Sequence, residues 1–171
     1  MGPGEYVPDA TEGITKVEDL PKPRIERHSR SFRARSCPRC GQRAGRYTYD
    51  RRTLHDLGNP RTGRPIDLLV TFSRHRCRSC GCCFAADLGD LALPKCHYTC
   101  RVQRLAVRLV VEDGLPYRTA SWHLWRDHRV FVPFATIQNW VEAAGEKKMC
   151  PDADGVSGRG VARLQRLPGR R

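Results

Sequence analysis

The sequence predicts an α+β fold: a small antiparallel β module stapled by a metal, then three short helices, with disordered termini. Three observations predict it. Two short cysteine knuckles, Cys37-Pro38-Arg39-Cys40-Gly41 and Cys77-Arg78-Ser79-Cys80-Gly81, repeat one pattern. The stretch between them alternates in the β sense, whereas the stretch after residue 100 repeats with a helical period. Hydrophobic residues make up only 39 % of the 171, too few for one large core, and small domains often need a staple.

Residues 1–35 are rich in Pro, Gly and charge and lack sustained periodicity, so they are expected to form a flexible basic arm. Its second half holds Arg24, Arg27, Arg30, Arg33 and Arg35, which would track phosphates or simply be a solvated tail.

Residues 36–95 are expected to form a zinc ribbon. Cys37, Cys40, Cys77 and Cys80 supply four thiolates, a complete tetrahedral set for a structural Zn²⁺. Gly41 and Gly81 close the knuckles with the positive φ that a tight turn around a metal needs. Between Cys40 and Cys77 lie 36 residues, a long separation for paired CxxC sites, but a long β-hairpin closes it at modest loop entropy. Strands are expected through Arg46-Tyr47-Thr48-Tyr49 toward Leu54 and at Cys83-Phe84-Ala85. Between them, Ile66, Leu68, Val70 and Phe72 share one face, with Asp67, Leu69, Thr71 and Ser73 on the other. The turn chemistry sits in Gly58-Asn59-Pro60-Arg61-Thr62-Gly63. Nothing near either pair has the βαβ pattern of a dithiol redox site. Cys82, Cys83, Cys96, Cys100 and Cys150 remain outside the set, and Cys96, His97 and Cys100 lack the matching pair of a second metal site. His75, beside the second knuckle, would replace a thiolate only if one of the four were missing.

Residues 96–148 read as a helix-turn-helix-like unit of three helices. Val102, Leu105, Ala106, Leu109 and Val110 make the first apolar stripe, opposite Arg101, Arg104 and Arg108. Gly114 stops that helix and Pro116 suits the first turn of the next. Tyr117, Ala120, Ser121, Leu124 and Trp125 form the second stripe; Ile137, Trp140, Val141 and Ala144 form the third, after a connection from Asp127 to Pro133. Trp122 is off the stripe and is expected to face a partner or a domain interface. Residues 149–171 have no periodicity and are expected to be disordered.

A net charge of +13 suits a polyphosphate partner. It is clustered: Arg24 to Arg52 holds ten arginines against Glu26 and Asp50, a local net of +8. Nine cysteines without a signal-peptide core fit metal-bound thiolates in a reducing cytoplasm, and no stretch is long and apolar enough for a membrane span. In a recognition helix the N-terminal residues reach base edges in the major groove. Thr136, Gln138 and Asn139 occupy those positions in the third helix, and amides bond adenine bidentately. Arg118, Arg126, Arg129, Lys147 and Lys148 are the matching phosphate contacts. The carboxylates Asp50, Asp56, Asp67 and Asp87 are scattered along strands and turns, without the paired rigid placement of two-metal phosphoryl transfer. GxSxG and Walker motifs are absent.

The order of parts resembles the front end of bacterial insertion-sequence transposases of the ISL-three type. The residues that carry the likeness are Cys37-Pro38-Arg39-Cys40-Gly41, Leu54-His55-Asp56-Leu57, Gly63-Arg64-Pro65-Ile66 and Arg74-His75-Arg76-Cys77. Glu112-Asp113-Gly114-Leu115-Pro116 and Thr136-Ile137-Gln138-Asn139-Trp140-Val141 extend it to about residues 36–148. The resemblance implies double-stranded DNA binding at terminal inverted repeats, in a nucleoid-associated cytoplasmic protein. Further expected partners are a second copy or the full-length transposase. In that family an RNase H-like DDE domain follows; with 26 residues after Gly145, the chain is expected to lack it, to be catalytically inactive and to compete for transposon ends. The alternatives are a zinc-ribbon adaptor for RNA or acidic protein, and the recognition half of an active transposase whose catalytic domain is encoded separately.

Overall fold

The computed structural model describes residues 19–145. Its centre is the antiparallel pair β3 (Arg43–Asn59) and β4 (Arg64–Arg76). The hairpin closes in a turn where Gly63 takes φ 64° and donates to the Pro60 carbonyl. This is the hairpin expected from the alternation, and both strands run further than the alternation alone marks. β5 (Cys83–Ala85) pairs with β4, as expected.

Residues 24–35 depart from the expected flexible arm. β1 (Arg24–Arg30) lies parallel to β4 over Ile66–Phe72, and β2 (Ala34–Ser36) lies antiparallel to β3. The five-stranded sheet runs β1-β4-β3-β2, with β5 on the β4 edge beyond β1. The physical reason is that β1 is held by backbone pairing rather than burial. Its residues are exposed or half-buried on both faces, so no apolar alternation marks them, yet they satisfy the open edge of β4. The expected arm from residue 1 to residue 18 lies outside the described residues, as does the tail.

The link from β1 to β2 crosses one face of the sheet. Ser73 on β4 anchors it: the Phe32 amide donates to Ser73 Oγ at 3.1 Å, and that hydroxyl faces the Arg30 carbonyl at 3.4 Å. On the opposite face Leu54, Leu68 and Val70 are buried under the segment 86–94 through Leu88 and Ala92. The expected stripe Ile66, Leu68, Val70, Phe72 is this covered face, with its outer members half-buried.

The helices α1 (Cys100–Val111), α2 (Tyr117–His128) and α3 (Phe134–Gly145) enclose a second core of Val102, Ala106, Leu124, Val132, Ile137 and Trp140. Each expected apolar stripe contributes to it. Gly114 has φ 68° and the Leu115 amide caps the Leu109 carbonyl, a left-handed stop to α1. Trp125 is fully buried, whereas Trp122 is 39 % exposed with the Arg126 guanidinium 5.1 Å over its ring.

Sheet and helices join at residues 97–99. The His55 amide donates to the His97 carbonyl and the Thr99 amide to the His55 carbonyl, while Tyr98 packs on the helical core and meets Trp140 edge-on. Thr99 is the α1 N-cap: its hydroxyl accepts from the Val102 amide and donates to buried Asp56 at 2.6 Å. One side chain thus caps a helix and satisfies a strand carboxylate. Thr99→Ala removes both and is expected to lower the unfolding free energy of metal-loaded protein by about 1–2 kcal/mol, with Thr99→Ser close to wild type; urea denaturation measures the difference.

Candidate metal centre and helical face

The β3–β4 register brings the two knuckles together. Gly45 pairs with Arg76, so Cys37 and Cys40 before β3 meet Cys77 and Cys80 after β4. Each knuckle has the same backbone pattern. The Cys37 amide donates to Gln42 O at 2.8 Å and Gly41 N to Cys37 O at 2.9 Å; Cys77 N donates to Cys82 O at 2.9 Å and Gly81 N to Cys77 O at 3.0 Å. Gly41 and Gly81 have φ 72° and 70°, a left-handed turn that a Cβ would strain.

The four Sγ atoms lie within 4.8 Å of one another. The nearest contacts, 3.5 Å each, are Cys37–Cys80 and Cys40–Cys77, so the pairs interlock across the knuckles. A tetrahedral ion with sulfur arms of about 2.3 Å has S···S edges of about 3.8 Å, which this cluster fits. The four cysteines are positioned to bind a metal ion. Buried Cys37, Ala44 and Cys77 form a third small core with Phe84 against them.

The four thiols titrate against one another. Burial works against ionisation of Cys37, but amide donation from Cys40 and Arg39 and the neighbouring thiols bring its pKa down to about 6. Amide donation from Cys80 is the main cause that lowers Cys77, against burial. At Cys40 the Gln42 amide favours the thiolate, yet Cys77, burial and the other two cysteines push it up to about 12. Like charges this close cannot all ionise without a cation among them. Burial first, then the charge of Cys37, raises Cys82, which keeps this neighbouring fifth sulfur protonated.

His75 is fully buried, but it faces Ser73 Oγ through Nε2 at 2.9 Å and stacks on Phe84. It supports the knuckle's floor and is not one of the grouped ligands. Among the described residues the four cysteines are the one such group; Cys96, His97 and Cys100 are not brought into another. Cys150 lies outside the described residues.

The expected nucleic-acid contacts divide between two surroundings. Gln138 and Asn139 are exposed on the first half of α3, Thr136 is half-buried, and Gln138 Nε2 donates to Glu142 at 3.0 Å. Arg118 reaches across from α2 to place its guanidinium 5.1 Å over Phe134, at the start of α3. Arg126 is exposed on α2. Arg129 is different: it ends α2 in a left-handed conformation, φ 48°, half-buried over Trp125. Lys147 and Lys148 lie outside the described residues.

One feature escaped the sequence reading. A cavity of about 340 Å³ opens between the hairpin end and the α2–α3 connection, lined in part by His55, Asp67, Tyr98 and Arg129. His55 Nδ1 meets Asp67 Oδ1 at 2.7 Å, because the two residues pair across β3 and β4. Burial pushes the Tyr98 phenol up to about 12, so it remains a donor to the Phe131 carbonyl at 3.2 Å. The signal was the strand register, since His55 and Asp67 are 12 residues apart with no motif joining them.

Comparison with known proteins finds no family model, no curated protein and no solved structure that matches this chain.

The cluster makes a direct prediction. Reduced, purified protein is expected to hold one metal ion per chain by elemental analysis. Cys37→Ser or Cys77→Ser should cut that content sharply, while Cys82→Ser leaves it unchanged. A structural four-thiolate site contributes about 10–16 kcal/mol, comparable to the whole stability of a domain. Chelation should therefore abolish the β signal in circular dichroism, and metal should restore it.

Proposed function

We propose that this chain is a zinc-stapled DNA-binding module whose three helices act as a helix-turn-helix. The observation that carries the reading is the start of α3. Exposed Gln138 and Asn139 sit there beside Arg118, whose guanidinium lies over Phe134. A helix N-terminus flanked by an arginine favours a phosphate, and amides one turn further on are then at the depth of base edges. Arg126 supplies a second phosphate contact from the exposed side of α2.

Zinc is the metal proposed for the cluster. Four thiolates in a tetrahedral set select zinc or iron among common ions, and a closed set with no open position is the mark of a structural site. Its part is to hold the knuckles together so that the arginine-rich strands keep their shape; it does no chemistry on a substrate.

The duplex site proposed is the terminal inverted repeat of an insertion sequence. Support comes from the resemblance of the knuckles, the Leu54-His55-Asp56-Leu57 strand and the helical segment to ISL-three-type transposases. In this reading phosphate contacts supply most of the affinity and its salt dependence, and α3 supplies base readout.

Selection from a randomised duplex pool near physiological salt tests the reading. One enriched motif is expected, lost on chelation. Gln138→Ala and Asn139→Ala should each relax specificity at one position by about 5- to 150-fold, the worth of a bidentate base contact. Arg118→Ala should weaken all duplexes alike and reduce the salt slope by about 1. Retention of every sequence alike, unchanged by the amide substitutions, would refute base readout by α3.

A further inference from the structure

The sheet has a second basic surface, remote from the amides of α3. Directly paired residues project to the same face, so the register sorts the side chains of β1, β3 and β4. Glu26, His28 and Arg30 of β1 share a face with Leu68, Val70 and Phe72, as do Leu54, Arg52 and Asp50 of β3. The other face carries Ile25, Arg27 and Ser29 of β1, Leu69 and Thr71 of β4, and Tyr49, Arg51 and Thr53 of β3.

The two faces differ in charge and in cover. The first lies under the segment 86–94 and holds the strand acids, with Asp50 paired to Arg74 and Asp90 of the covering segment bound to Arg30. On the second face the single carboxylate from these strands is Asp67, and it is nine-tenths buried and held by His55. Among the described residues no carboxylate pairs with Arg27 or Arg51. This face is open along the strands, with Arg27, Arg51 and Thr53 exposed. The strap 31–33 bounds one end and His55 with Tyr98 the other.

Aromatic rings stand at the strap end. Tyr49 is 50 % exposed on this face, whereas Tyr47, the extra residue at the irregularity between Arg46 and Thr48, lines a separate hollow with Arg76 and Arg78. The Arg46 guanidinium lies 4.5 Å over the Tyr49 ring while donating to Ser31 Oγ at 3.1 Å. Arg35 covers Phe32 in the same way at 4.7 Å. These rings remain half in water although sheet and strap pack closely around them. With Arg46 over one side of the Tyr49 ring, the ring is held at fixed height and offers its other π-face, and the flanking Arg27 and Arg51 offer phosphate contacts along the strands.

We propose that this open face binds single-stranded nucleic acid, with an unpaired base stacked on Tyr49 and the backbone drawn along Arg27 and Arg51. The chemistry selects an unpaired strand over a duplex. Stacking on a protruding ring requires a base whose face is uncovered, which a duplex interior does not present. Acidic protein would satisfy the arginines but gain little from the tyrosine face.

The test is fluorescence anisotropy of metal-loaded protein with labelled oligo(dT) and oligo(rU) of about 12 nucleotides, within the span such grooves bind, alongside a duplex of equal length. Tyr49→Ala is expected to weaken single-strand binding by about 5- to 150-fold, the worth of one stacked base, and Tyr49→Phe to retain it. Arg27→Glu with Arg51→Glu should abolish it at moderate salt. Circular dichroism and metal content verify that each variant is folded. Equal single-strand affinity for Tyr49→Ala and wild type would overturn the proposal, as would competition by oligo-glutamate as strong as by oligonucleotide. Gln138→Ala with Asn139→Ala separates the two surfaces. It should leave single-strand binding intact whether or not duplex readout by α3 holds.

Discussion

The pairing of β3 with β4 is the constraint on which the rest of the molecule depends. Thirty-six residues separate the two knuckles in sequence, and closing so long a loop is entropically costly unless its interior is ordered. The antiparallel ladder orders it. One end of the ladder presents two pairs of thiols to each other, and the other end presents His55, Asp56 and Leu57 to the helices. A slip of one residue would send Leu68 and Val70 to the open face and draw the knuckles out of line. The cysteine cluster and the hydrophobic stripe therefore select the same register, which is the agreement between levels that makes a small fold unique.

Acidic residues complete this frame from inside. Asp56 accepts from Thr99 and faces Arg101 at 3.3 Å, and Asp67 holds His55. Asp50 and Asp90 meet Arg74 and Arg30 on the covered side. Exposed pairs such as Asp50–Arg74 contribute little to stability. Their effect is on the distribution of charge: the strand carboxylates lie on the covered side, at the joint with α1 or buried against His55, and the remaining arginines dominate the other surfaces. A chain of net charge +13 thus acquires defined basic faces instead of a uniform positive coat.

The legible parts of the fold were those in which one residue type has one physical reason to recur. Four thiols in two matched pairs point to a metal wherever the intervening chain runs, and the three apolar stripes marked α1, α2 and α3 because each buries one side. Arg24-Ile25-Glu26-Arg27-His28-Ser29-Arg30 carried no such mark. Its pairing with β4 is made by backbone groups that every sequence possesses, so a charged edge strand and a charged tail look alike until the partner strand is seen. The same holds for His55 and Asp67, which meet only through register, and for Arg129. Its charge suggested phosphate; as the left-handed end of α2 it places its guanidinium over Trp125.

The cover of the sheet changes sides along β4, and this accounts for where its open surface lies. At Leu68 and Val70 the buried residues face the segment 86–94; at Ser73, His75 and Cys77 they face the strap, Phe84 and the knuckles. The phase of burial shifts by one residue between Val70 and Ser73, where one small core ends and the next begins. A single large core would have covered one face throughout, but a chain with 39 % hydrophobic residues builds three small ones, each with its own fastening. The cysteine cluster fastens one, β-pairing another, and the Thr99–Asp56 joint ties the helical one to the sheet. Where cover passes from one face to the other, Thr71 and Tyr49 are left facing water beside Arg27 and Arg51. The exposed platform is thus a consequence of how a chain poor in apolar residues divides its core.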